Sequence, residues 1–95
     1  MGDKVRMHVL LAGRVQGVAF RYYAEKWALE LGLTGWVKNL RDGRVEVLAE
    51  GDRENVGQFL ERIKTGPRMA QVDSAEVRWE GYTGEFPGFE ITGGW

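Results

Sequence analysis

The 95-residue sequence has no cysteine, which excludes disulfides, zinc ribbons, iron–sulfur ligation and every thiolate nucleophile together. Histidine occurs once, as His8, with no partner at metal-ligand spacing, so it reads as a strand-face residue. An excess of one charge is also missing. Thirteen Lys and Arg against fourteen Asp and Glu leave a net charge of -1, which argues against a dominant nucleic-acid footprint or a polybasic membrane anchor. Apolar runs such as Val9 to Ala12 fall far short of the roughly 20 residues that a membrane helix needs. The segment from Met1 to Arg6 lacks a charged-then-apolar signal pattern, and Arg6 stands where a myristoylation motif wants Ser or Thr. A cytoplasmic location is expected.

What is present suits one folded unit, residues 1–95. A composition of 43% hydrophobic and 28% charged residues is that of a globular chain rather than a disordered one. Four Trp, three Tyr and four Phe supply material for its core. Val5, Met7, Val9 and Leu11 alternate with less apolar neighbours, the period of a strand with one buried face. After Gly13 and Gly17, Phe20, Tyr23, Ala24, Trp27, Ala28 and Leu31 recur at helical spacing up to Gly32.

Thr34 to Asn39 and Arg44 to Glu50 read as strands joined by a tight hairpin at Asp42-Gly43. Asp52 is expected to cap a second helix through its side chain, with Val56, Phe59, Leu60 and Ile63 as the apolar stripe and Gly66-Pro67 as the stop. Ala75, Val77 and Trp79 mark a fourth strand, and Phe89 and Ile91 a short fifth. The order βαββαβ plus one strand specifies an α+β sandwich, two helices on one face of an antiparallel sheet.

The chemistry concentrates in the loop from Gly13 to Ala19, which runs from a strand straight into a helix. Unpaired N–H groups and the helix dipole favour an anion there. Two glycines let the backbone turn and approach a ligand. Arg21, in the first helical turn, presents a guanidinium able to grip phosphate or carboxylate with paired hydrogen bonds. On spacing alone this is one reading among others. Glycine-bounded loops are common, and the string lacks both the GKS/T ending of a nucleotide loop and a GxGxxG fingerprint. Asn39, beside a hairpin, reads by itself as a turn residue.

Two longer segments add to this. Gly13-Arg14-Val15-Gln16-Gly17-Val18-Ala19-Phe20-Arg21 resembles the first signature of the acylphosphatase family. Gly35-Trp36-Val37-Lys38-Asn39-Leu40-Arg41-Asp42-Gly43-Arg44-Val45, running on to Gly51, resembles its second. The resemblance implies a ferredoxin-like βαββαβ sandwich and metal-independent hydrolysis of acyl phosphates to a carboxylate and inorganic phosphate, without an organic cofactor. It implies that Arg21 and the backbone N–H groups of Val15, Gln16, Gly17, Val18, Ala19 and Phe20 hold the phosphate. Asn39 then positions the attacking water. Phosphate or sulfate should compete for the site.

General chemistry agrees with that division. The leaving group is a carboxylate, a weak base that departs at neutral pH without a general acid. Phosphoryl transfer is catalysed chiefly by positioning and by donors placed where charge gathers. A carboxamide oxygen orients a water but is no useful base. Glu46, Glu50, Glu76 and Glu80 fall on polar strand positions and are expected to face solvent, whereas Tyr23, Trp27, Phe59 and Trp79 are expected in the core. The competing reading is a non-catalytic ferredoxin-like module binding a phosphate ligand or RNA. Arg44 to Glu50 carries no aromatic for base stacking, so neither nucleic acid nor membrane is an expected partner, and a monomer is expected.

Overall fold

The computed structural model describes residues 3–93 and follows the expected element order, β1 (Lys4–Arg14), α1 (Phe20–Glu30), β2 (Thr34–Asn39), β3 (Val45–Asp52), α2 (Arg53–Thr65), β4 (Gln71–Gly81) and β5 (Phe89–Thr92). Met1 and Gly2, where the N-terminal reading begins, and Trp95, counted with the core aromatics, lie outside the described residues. The sheet order is β4-β1-β3-β2-β5. Contacts among β4, β1, β3 and β2 are antiparallel, but β5 joins β2 in parallel, so the sheet is mixed rather than wholly antiparallel. The cause is the long return from β4 at one edge to β5 at the other, which lays β5 down in the direction of β2.

Alternation along β1 sends Val5, Met7, Val9 and Leu11 to the face covered by both helices. Val37 of β2 and Val45, Val47 and Ala49 of β3 join them. Ala24 and Ala28 let α1 approach this face closely, while Val56, Phe59 and Ile63 fill the α2 side. Phe59 meets Phe89 edge to face, ring centres 5.9 Å apart, the geometry aromatic quadrupoles favour. Among the described aromatics only Phe20, Phe59 and Phe89 are buried, and Phe86 is half-buried. Tyr23 and Trp27 are half-buried, and Trp79 is 50% exposed. Trp79 lies on the helix-covered face, but in edge strand β4, where cover runs out; its core assignment is therefore corrected.

Asp52 precedes α2 but makes no capping bond. Its carboxylate pairs instead with Lys4 Nζ at 3.2 Å, and the Arg53 N–H donates to the Asp3 carbonyl at 2.8 Å. Strand pairing of β1 with β3 brings that carbonyl within reach and makes the side-chain cap redundant.

The expectation that Glu46 and Glu50 face solvent also fails. Both lie on the open face of the sheet, but Glu46 Oε2 is 2.6 Å from His8 Nε2, and Glu50 is 0% exposed. The chain between β4 and β5 folds over Glu50. Its carboxylate accepts bonds from Arg6 Nε at 2.8 Å and from the Thr83 N–H, Thr83 hydroxyl and Gly84 N–H, each at 3.0 Å. Burial opposes ionisation, yet these four donors outweigh it and hold the Glu50 carboxyl below its ordinary range. Glu76 and Glu80, on the edge strand, are exposed as expected.

Candidate active site

The site forms where the β1 end and the β2 end lie side by side against β3, with Leu11 and Asn39 flanking Val45 on either side. β1 runs on to Arg14, three residues past the last alternating apolar position, Leu11, and shifts register against β4 between Ala12 and Gly13. Gly13 sits in this irregularity at φ 126°, where a Cβ would collide with the backbone of Gln71 and lie 2.8 Å from the Asp73 nitrogen. Its lack of a side chain serves strand contact, not ligand approach. Gly17 is the glycine that faces open space, at φ 74°.

Alternate residues anchor the loop. Val15 and Phe20 are enclosed by the core at 1% and 2% exposure, and Val18 packs against it. Between them Gly17 and Ala19 are turned outward. Ala19 adopts a left-handed conformation, φ 63° and ψ 26°, which costs an L-residue about 1–2 kcal/mol. A strained alanine at the entry to a helix, next to a cavity, is the kind of conformation that functional loops retain.

Gln16 turns away from the cavity. Its side-chain amide donates to the carbonyls of Leu40 at 2.7 Å and Arg44 at 2.9 Å, the residues that close the β2–β3 hairpin through a 2.8 Å Leu40 N–H to Arg44 O bond. One side chain thus fastens the loop to the hairpin that carries Asn39. The turn is held in addition by Asp42, which accepts bonds from the Arg44 N–H at 3.1 Å and from Arg44 Nε at 2.8 Å. These bonds, the backbone one foremost, lower the Asp42 carboxyl pKa.

The Tyr23 N–H is the amide that bonds back to Ala19 O, at 3.1 Å, so the amides of Phe20, Arg21 and Tyr22 precede the first intrahelical bond. No side chain caps this end and no acidic residue occupies its first turn. Arg21 is there instead, a cation at the positive end of the dipole. The second helix also begins with an arginine, Arg53, but there Glu54 follows in the first turn and Asp3 lies 3.8 Å from the guanidinium, with Arg62 and Lys64 in the last turn. At the start of α1 the dipole end, the unbonded amides and the guanidinium together favour an anion.

Of the residues named from sequence, Val15, Gly17, Ala19, Phe20, Arg21 and Asn39 line one cavity of about 100 Å³. Gln16 and Val18 lie outside it, acting on the loop from behind. Asn39, 8% exposed, closes the inner wall with its Oδ1 buried. Tyr22 lines the cavity as well and was missed, because the helical stripe leaves position 22 on the solvent side. Its place directly after Arg21 was the available signal. Among the described residues, no three His, Asp or Glu converge as a metal site.

Together these features define a small α+β sandwich in which the start of a helix, an arginine and a carboxamide border one cavity. Comparison with known proteins gives the same class. The family model described as Acylphosphatase matches residues 7–91. The acylphosphatase of Syntrophobacter fumaroxidans is 51% identical over 92 residues, covering 97% of this chain and 95% of that protein. That of Roseiflexus is 50% identical over 91 residues, covering 96% and 98%. The crystal structure of acylphosphatase from Bacillus subtilis superposes with a TM-score of 0.90 at 38% identity, covering 93% of this chain and 98% of that one. The chain belongs to the acylphosphatase family. It is a hydrolase of acyl phosphates with the ferredoxin-like fold of that family.

Proposed function

We propose that the cradle holds the phosphoryl group of the acyl phosphate through the guanidinium of Arg21 and the backbone N–H groups of residues 15–20, while Asn39 orients the attacking water. The water oxygen bonds to phosphorus as the bond from phosphorus to the acyl oxygen breaks. The electron pair leaves with the carboxylate, and the water proton passes to a phosphate oxygen. No acid is needed for so weak a base, and no metal, cofactor or covalent phosphoenzyme takes part. The cradle's share is electrostatic, donors fixed where charge collects on the equatorial oxygens.

The observation that carries this reading is the meeting of Arg21 and Asn39 in one cavity, from elements tied together by the Gln16 amide. Inorganic phosphate and sulfate fit the same cradle and compete with substrate. The proposal extends to a single-domain monomer working in the cytoplasm without a nucleic-acid or membrane partner; among the described residues no helix is long and apolar enough to cross a membrane. The test is hydrolysis of acetyl and benzoyl phosphate in excess EDTA by wild type, Arg21→Ala and Asn39→Ala. Metal-free turnover lost in both variants supports the assignment. Turnover abolished by EDTA and restored by added metal would remove it.

A further inference from the structure

The cavity of about 100 Å³ provides for the phosphoryl group and the water but leaves the acyl group outside. Its walls offer that group little. Val15 and Phe20 are spent on the core, Asn39 is buried, and Gly17 and Ala19 contribute at most a methyl group. Tyr22 differs from all of these. It lines the same cavity yet is 67% exposed. Among the described residues its hydroxyl enters no hydrogen bond, and its ring pairs with no aromatic or cationic group. The neighbouring Tyr23, by contrast, donates to the Arg62 carbonyl at 3.1 Å and lies against Phe20 with ring centres 6.2 Å apart.

An aromatic ring held at the mouth of an anion site by the first turn of a helix is a stiff apolar surface with few torsions to freeze. We infer that Tyr22 receives the acyl group, its ring favouring apolar and above all aromatic acyl phosphates over acetyl phosphate. The inference rests on the acyl phosphate reading of the cavity. The contact is made to a part of the substrate that does not react, so it is equally strong before and in the transition state. It therefore acts on KM rather than kcat.

The test separates binding from chemistry. Acetonylphosphonate and phenacylphosphonate reproduce acetyl and benzoyl phosphate with a methylene in place of the bridging oxygen, and inorganic phosphate is the reference without an acyl group. Calorimetry of wild type should show phenacylphosphonate binding about 3- to 10-fold tighter than acetonylphosphonate, the range that one aromatic pair supplies. Tyr22→Ala should bring that ratio towards one, and Tyr22→Phe should keep it, since the ring and not the hydroxyl is invoked. No preference in wild type, or a preference unchanged in Tyr22→Ala, overturns the inference. A parallel loss of all three ligands in Tyr22→Ala also overturns it, because that is the mark of a distorted cradle. Phosphonate preference that follows the ring in a protein unable to hydrolyse either acyl phosphate would uphold Tyr22 and sink the hydrolytic mechanism.

Discussion

Replacing Glu50 by alanine is expected to cost about 3–5 kcal/mol of stability, the range for removing one partner of a buried ion pair. The structure explains why so much rests on one carboxylate. Alanine removes the acceptor of Arg6 Nε, leaving that guanidinium, its side chain 16% exposed, to Glu85 at 3.2 Å and Glu80 at 3.8 Å, and it frees the Thr83 and Gly84 N–H groups that fasten the β4–β5 connection to the sheet. A chain of 95 residues has about 5–14 kcal/mol in total, so this is a large fraction. The midpoint of thermal unfolding should fall by about 12 °C or more. Glu50→Gln keeps volume and an acceptor but loses charge assistance, and should cost about half as much.

Urea unfolding followed by tryptophan fluorescence measures both variants. The folded fraction should retain kcat, because Glu50 lies five residues along β3 from Val45, about 17 Å from the end that carries the site. The pH dependence has a definite sign. The Glu50 carboxyl has a folded pKa below its unfolded value of about 4.3, so its contribution is complete above that pH and is lost as pH falls through the lower folded value. Wild type should therefore lose stability in acid more steeply than Glu50→Ala. A loss below about 1 kcal/mol at pH 7, or parallel acid profiles, would refute the reasoning.

Arg21→Lys should impair hydrolysis and phosphate binding nearly as much as Arg21→Ala, since an ammonium cannot make the two-pronged contact; competition by inorganic phosphate measures this. Asn39→Ala should lower kcat by about 10²–10³ while phosphate affinity changes comparatively little, judged by analogy with the loss of one positioning donor. Equal loss of phosphate binding in the Arg21 and Asn39 variants would contradict their separate roles. Gln16→Ala should weaken the tie between loop and hairpin, lowering kcat and phosphate affinity together. Saturating phosphate should then raise its unfolding midpoint less than that of wild type.

Much of the architecture was legible because the signals are local. Period-two alternation marked Val5 to Leu11, Asp42-Gly43 marked the hairpin, and Gly66-Pro67 marked the end of α2. Thr34–Asn39 and Phe89–Thr92 stand as strands within the bounds read from the chain. Arg21 and Asn39 were singled out by the wording of two contiguous segments, and both line the one cavity.

The failures share a different cause. Alternation told which face Glu50 occupies, but not that a connection 33 residues later would cover it. Trp79 lies on the apolar face as its period demands, and only the sheet order shows that this face ends there. Gly13 was read for a ligand, whereas its neighbour is the backbone of β4. Asp52 has a capping residue's identity and place, yet Lys4 claims its side chain.

By itself, the sequence determined the element order, the buried faces, the candidate residues of the loop and hairpin, and the family to which the chain belongs. The tertiary structure alone decided that β5 runs parallel to β2, that Gln16 joins the loop to the hairpin, and that Arg21, Tyr22 and Asn39 border one cavity. Local patterns are set by neighbours within a turn or a strand. Cover, strand direction and convergence depend on groups that folding brings together from tens of residues away.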